Sequence, residues 1–366
     1  MDCVFLSSFF LACHRPAFYT LPVRKKPGII IVALVTLLVA GLLWPVLHPR
    51  EPMFHGKPES FWLYGLTNTF NPALVSAWSA HQRTWNEFGP EAVPLLVKAM
   101  QLQESPAQKA YSKYWNKLPA RAQNLLPAPV NYSQIRIGAL IMLNSVGRRH
   151  RVPLPPLVQA LEDSHWEMRM NALSCLGNNV LPTLGPEKEK LLPALIRAMN
   201  DSHTEVRMNA AATLQYFPSN AQTVVPVLTK ALNERDADIR IRAAVSLNKI
   251  DPQLAAKAGV VAVAADALKS NGPFRSAHLA AKFLKELSKD SSSAIPALMG
   301  GLENGKDPTV RQLSAATLGE IGHPAHEAVP ALLRAVREDP SIGVRAASSN
   351  ALLTIDFEVP QKADPN

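Results

Sequence analysis

The strongest constraint on this chain is a repeat. An arginine that follows an aliphatic or similar residue recurs as Arg136, Arg169, Arg207, Arg240, Arg275, Arg311 and Arg345, at intervals of 33 to 38 residues. A proline ladder keeps register with it at Pro94, Pro156, Pro193, Pro226, Pro296 and Pro330, with one rung missing between Pro226 and Pro296. Each period holds two amphipathic segments at helical spacing. In 193–214 these are Ala194, Leu195, Ala198 and Met199, then Val206, Ala210, Ala211 and Leu214, on either side of the turn signal Asn200-Asp201-Ser202. Two helices alone cannot cover their apolar stripes, so such units fold by stacking on their neighbours, and the period dictates a helical solenoid. The proline suits the start of each first helix, where its missing N–H is no loss.

The last unit shows the pattern P-x-L-x-x-A-L, then D, then V-R-x-x-A-A-x-x-L, as Pro330 to Val336, Asp339 and Val344 to Leu352, with Ser348 and Ser349 in place of the two alanines. In these residues the chain resembles the HEAT-like repeat family, in the bacterial short-repeat form first named from phycobilin lyases. The resemblance implies an all-α, right-handed α-solenoid of HEAT-like helical hairpins, about seven repeats over 91–357, with the second helices lining the concave side. It also implies that the ladder arginines and the turn aspartates Asp163, Asp201, Asp307 and Asp339 form a hydrogen-bonded file between neighbouring repeats, with Asp236 or Asp238 as the equivalent after Asp201. A guanidinium satisfies a carboxylate and backbone carbonyls together, so this file is architectural. Arg207→Ala is therefore expected to lower stability, not to remove a ligand contact.

The repeat is interrupted twice. Residues 101–130 form an insertion in the first unit, with Lys109, Lys113 and Lys117 among Tyr111, Tyr114 and Trp115, read as a solvated helix that packs its aromatics on the N-terminal cap. The unit 254–287 lacks its opening proline, and a one-residue slip there turns Phe283 inward. Ahead of the repeats, 49–90 reads as a linker and helical cap, with Trp62, Leu63 and Leu66 on one side of a short helix and a second helix from Pro72 to Trp85. A cap is what the open end of a solenoid requires.

Residues 28–48 read as a transmembrane signal anchor. The stretch 29–47 has no charge and thirteen Ile, Leu or Val residues, which favour insertion by about 4 to 8 kcal/mol before backbone and polar terms. Arg24, Lys25 and Lys26 precede it and Arg50 follows, so the basic tail 1–27 is expected in the cytoplasm and the repeats outside, as a single-pass cytoplasmic membrane protein with a periplasmic solenoid. The end, 358–366, reads as a flexible tail.

Little in the chain points to catalysis. No Walker loop, dinucleotide glycine fingerprint, nucleophile elbow or HExxH is present. The three cysteines, Cys3, Cys13 and Cys175, lie far apart and offer no zinc site. His323 and His326 flank a proline in an inter-repeat loop, a poor metal pair, while His165 and His203 occupy equivalent Asp-Ser-His turns and are expected to come close along one edge. The formal net charge of +9 is too diffuse to predict nucleic-acid binding. The expectation is thus no cofactor, no small molecule and no nucleic acid, with an unknown protein partner and a membrane engaged through 29–47. Counting two residues on from the ladder arginine selects Asn171, Asn209 and Arg242 as candidate partner contacts; Gln215 and Lys249 extend that side, and His278 joins them from the slipped unit. The chain reads as a non-catalytic scaffold binding a protein or envelope component. A bilin-lyase-like enzyme or chromophore chaperone is the alternative the family name implies, and a basic-groove nucleic-acid binder is a further one.

Overall fold

The computed structural model describes residues 51–67, 75–182, 184–269, 274–288 and 293–357. The expected tail 1–27, the expected anchor 28–48 and the terminal 358–366 lie outside them, and among the described residues no helix is long and apolar enough to cross a membrane. The chain divides after Ser60. In the first unit, an antiparallel pair, β1 (Met53–Phe54) and β2 (Lys57–Pro58), is closed by Ser60, whose N–H and hydroxyl donate to the two carboxylate oxygens of Glu51 at 2.6 and 2.8 Å. This pair departs from the all-α expectation, and every element after it among the described residues is a helix.

Helix α1 (Glu59–Gly65) begins there, followed by α2 (Val75–Phe88). Their aromatic residues form the cap: Trp62 meets Trp85 and Phe88 edge-on, with ring centroids 6.1 and 4.9 Å apart, and Trp85 meets Phe88 at 5.8 Å. Trp85 and Leu66 are fully buried. Gln82 donates to Ser145 at 3.0 Å, and Ser145 donates to Asn86 at 3.1 Å, tying the cap to the first repeat through polar groups as well.

Seven helical hairpins follow among the described residues. The first is α3 (Ala92–Met100) with α6 (Tyr132–Val146), separated by the insertion helices α4 (Pro106–Trp115) and α5 (Ala120–Gln123). The next are α7 (Leu154–Leu161) with α8 (Trp166–Cys175), α9 (Leu192–Ala198) with α10 (Thr204–Thr213), and α11 (Ala221–Ala231) with α12 (Ala237–Ile250). After a short α13 (Pro252–Lys257) come α14 (Val260–Lys269) with α15 (Phe274–Leu287), α16 (Ala294–Asn304) with α17 (Pro308–Ile321), and α18 (Val329–Glu338) with α19 (Ile342–Phe357). The second helices α6, α8, α10, α12, α15, α17 and α19 pack in succession, so one continuous core runs through the stack. Leu140, Leu173, Ala211, Leu247, Leu284, Leu318 and Val344 are buried in it, and Phe283 points inward as the slipped register predicts.

Two local features refine the repeat. The proline does not open the helical run. Before α9 and α18 a 3-10 turn already precedes it, Pro186–Leu191 and His323–Ala328, and Pro226 lies inside α11. Proline marks the turn at which an entry segment becomes the α-helix proper, where one missing N–H costs a single bond. In the degenerate unit Val260 or Val261, at the start of α14, stands where the proline was expected, and α13 takes the place of the entry turn, capped by the Asp251 carboxylate on the Leu254 N–H at 2.9 Å. Gly259, at φ +75°, then reverses the chain into α14, a backbone conformation that glycine adopts without strain. Near the C-terminus α17 and α19 approach so closely at Gly319 that a Cβ there would lie 2.8 Å from the Ala351 Cα.

The insertion does not pack its aromatics on the cap. A capping box between Ser105 and Gln108 starts α4, Tyr111 donates to the Pro127 carbonyl at 2.6 Å and meets Trp115 edge-on at 5.5 Å, and neither α4 nor α5 buries a residue. The aromatics close the insertion on itself because its own returning loop, 124–130, lies nearest in the chain.

Candidate functional site

Two sets of polar side chains recur along the second helices, one turned to the neighbouring repeat and one to the surface. The first is the arginine ladder. Five of the ladder arginines donate Nη1 to the carbonyl six residues back, Arg169 to Asp163 at 2.7 Å, Arg207 to Asp201 at 2.8 Å, Arg240 to Glu234 at 3.0 Å, Arg311 to Gly305 at 2.9 Å and Arg345 to Asp339 at 2.8 Å, while Arg136 donates Nε to the Met100 carbonyl at 2.9 Å. This clamps the hairpin turn. The rest of the guanidinium reaches the next repeat: Arg136 pairs with Asp163, Arg169 with both oxygens of Asp201 at 2.6 and 2.8 Å, and Arg311 with both oxygens of Asp339 at 2.7 and 3.0 Å. The carboxylates also accept backbone N–H groups, from His165, His203 and Ser341, each at 2.9 Å. The expected file is real for these three aspartates.

For the others the structure corrects the reading. Asp307 lies four residues before its arginine, not six, and accepts from the N–H and hydroxyl of Thr309 at 2.8 and 2.6 Å, capping α17. Asp236 caps α12 through the N–H groups of Asp238 and Ile239 at 2.9 and 3.2 Å. A carboxylate directly before the first helical residue is captured by its own helix. Arg207 therefore lacks a rung, and its buried Nε has no hydrogen-bond partner. Arg240 instead takes Asp266, from within α14, at 2.5 Å. The side chain of Arg275 lies outside the described residues.

The rungs set the charge state of their members. The Arg169 guanidinium holds the Asp201 carboxyl below the usual carboxylate range, and Arg311 does the same for Asp339. Burial pushes Asp163 up, but the His165 amide and Arg136 outweigh it and leave it lowered. Since the folded state binds protons less readily at these sites, their contribution is complete above about pH 4, where an unfolded carboxylate is ionised, and fades as pH falls through the lower folded values. The melting temperature should accordingly drop on acidification below about pH 4, and Asp201→Asn should flatten that drop when thermal unfolding is followed across the same buffers.

The two turn histidines serve the same joint. His165 contacts the Ser133 hydroxyl at 3.1 Å, and the His203 ring stacks on Trp166 with centroids 5.3 Å apart and planes 9° apart, so each reaches the preceding repeat. Cys175 is fully buried, and burial pushes its thiol up to about 12. No group of three or more potential metal ligands occurs among the described residues.

The second set faces outward. Gln215, Arg242 and Lys249 line one cleft of about 200 Å³ between α10, α12 and α15, together with Lys282, Phe283 and Glu286. His278 lines the adjoining cleft of about 410 Å³, which shares Lys282 and Glu286 and adds Lys285, Leu313 and Glu320. A third, of about 460 Å³, shares Glu320 and continues along Gln312, Ala347 and Asn350 to Thr354. The clefts thus follow one another along the second helices. Lys249 donates to the Gln215 side-chain amide oxygen Oε1 at 2.6 Å, and Lys285 pairs with Glu320 at 2.8 Å, so the lining bridges repeats. Asn171 and Asn209 are not brought into these clefts; their amides donate back to the Glu167 and Glu205 carbonyls of their own helices, each at 2.8 Å. Lys282, Glu286, Lys285 and Glu320 were not among the predicted contacts. For Lys282 the signal was a charge at a position where the other units carry leucine, as Leu143, Leu176, Leu214, Leu247, Leu318 and Leu352.

A family description of HEAT repeats matches the chain over 154–248, 192–281 and 261–353. Among solved structures, Kap121p bound to Pho4p is similar at 15% identity and a TM-score of 0.50, over 82% of this chain and 33% of that one. An engineered protein is 23% identical with a TM-score of 0.35, over 55% of this chain and 95% of that one. Human deoxyhypusine hydroxylase in complex with glycerol is 19% identical with a TM-score of 0.30, over 82% and 96%. The chain spans about a third of the length of Kap121p, and no curated protein matches it. The matched windows together cover more than half of the sequence, and they coincide with hairpins built on the proline and arginine ladders: the chain belongs to the HEAT-repeat family.

Proposed function

We propose that this chain is a non-catalytic scaffold of bacterial type, held to a membrane by 29–47 with its repeats outside the cytoplasm, which grips a protein partner along the concave face made by the second helices. The observation that carries this reading is the succession of clefts from Gln215 to Thr354, lined by side chains that the ladder does not use. An extended run of shallow, mixed-charge clefts suits a polypeptide segment better than a compact small molecule, which would need a deep and mostly apolar pocket. The ladder, by contrast, is occupied in holding repeats together.

A photoreactive residue placed at position 282 or 350, both exposed on this face, should form adducts with one and the same protein in intact membranes. Position 333, exposed on α18, should not. Equal labelling from all three, or adducts from 333 alone, would overturn the reading.

A further inference from the structure

The insertion carries a surface that the scaffold reading does not use. Between Ser105 and Asn131 there is no acidic residue, while Lys109, Lys113, Lys117 and Arg121 recur at every fourth position. All four are exposed, and none has a carboxylate partner among the described residues. Lys113 and Lys117 converge on one aromatic ring, their Nζ atoms 5.8 and 5.4 Å from the Tyr114 centroid. That ring is itself 53% exposed, and the loop beyond α5 leaves Leu125 at 85% and Leu126 at 44% exposed. By contrast the leucine pairs Leu95-Leu96 and Leu191-Leu192 of the repeats are buried in the core.

Cations without counter-charges next to protruding aliphatic and aromatic side chains are the composition of an interfacial membrane contact. The cations meet anionic headgroups, and the apolar groups enter the headgroup and acyl boundary. Nucleic acid would use the charges but leaves Leu125 and Leu126 without a role, and a folded acidic protein would be met by an ordered apolar patch, not by two leucines on a loop. We infer that the insertion 101–130 docks on the surface of an anionic phospholipid bilayer through Lys109, Lys113, Lys117 and Arg121, with Leu125 and Leu126 entering the interface. The contact is independent of the partner face, and it requires no particular topology of 29–47.

The full chain with Leu125→Cys, Cys3→Ser and Cys13→Ser tests this, since Cys175 is buried and its thiol is unreactive near neutral pH. Labelled at position 125 with an environment-sensitive fluorophore, the protein is placed with vesicles of phosphatidylcholine alone or mixed with phosphatidylglycerol. The emission should move to the blue and become shielded from aqueous iodide only when phosphatidylglycerol is present. Added salt should reverse the change, a control that needs no further variant. Each cation replaced by glutamine should lower the ratio of docked to free insertion roughly fivefold, and the fourfold variant should lose the shift while keeping its melting temperature. The same emission with both lipids, or a shift produced by a single-stranded oligonucleotide and not by phosphatidylglycerol, would overturn the proposal.

Discussion

Arg169→Ala is expected to lower the unfolding free energy of the solenoid by about 2 to 4 kcal/mol. The guanidinium is 14% exposed and its Asp201 partner 11%. Its loss removes both bonds to that carboxylate and leaves the Asp163 and Ser164 carbonyls of its own turn without their donor. A carboxylate left largely buried with only the His203 amide and a long contact from the Ser202 hydroxyl is costly in a way that a lost surface pair is not. Arg207→Ala is the internal comparison. It removes the turn clamp but no ion pair, so about 1 kcal/mol is the scale. Urea unfolding followed by circular dichroism on both variants separates the cases. Equal losses would mean that the carboxylate rung contributes nothing beyond the turn clamp.

Trp85→Ala is expected to cost about 3 to 5 kcal/mol, the range for deleting a fully buried large aromatic, through lost transfer energy and the cavity left behind. Trp85 is the centre of the cap, and without it Trp62 and Phe88 lose their edge-on partner. Because each repeat touches only its neighbours, the damage should be graded along the stack. Hydrogen exchange should accelerate most at Leu95, Leu96 and Leu140 and least in α17 and α19. Uniform acceleration over the whole chain would show instead that the solenoid unfolds as one cooperative unit.

The period and the direction of the core were legible because the same residues recur in each unit: an arginine after an apolar residue, a proline one turn into a helical run, leucines and alanines at fixed offsets. What was not legible was where a side chain turns when two short-range options compete. Asp307 and Asp339 look alike in a one-dimensional pattern, yet Asp307 stands immediately before Pro308, the first residue of α17, and its carboxylate caps that helix. Asp339 has room to accept its own turn amide and still meet Arg311. The available cue was the offset to the ladder arginine, four residues from Asp307 to Arg311 against six from Asp339 to Arg345. Asp266 could not be found by offset, since the turn before Arg275 holds no acid and the substitute comes from inside a helix. On the surface, counting from the arginine reached Arg242, which lines a cleft, whereas Asn171 and Asn209 turn back on their own helices because an asparagine amide can satisfy itself on the preceding turn.

The missing rung at Arg207 changes what the neighbouring bridges do. Between the hairpins of α10 and α12 the link falls to the Ser246 hydroxyl on the Ala211 carbonyl at 2.7 Å and to Lys249 on Gln215. The second of these lies in the cleft proposed above as part of the partner face. On that proposal, a carboxylate arriving there would draw the Lys249 ammonium away from Gln215, loosening a step that no ion pair braces among the described residues, unless it also spans the gap and splints it. Grip and compliance are thereby joined in a single hydrogen bond, and the stiffness of the spring at its midpoint becomes a property of what it holds.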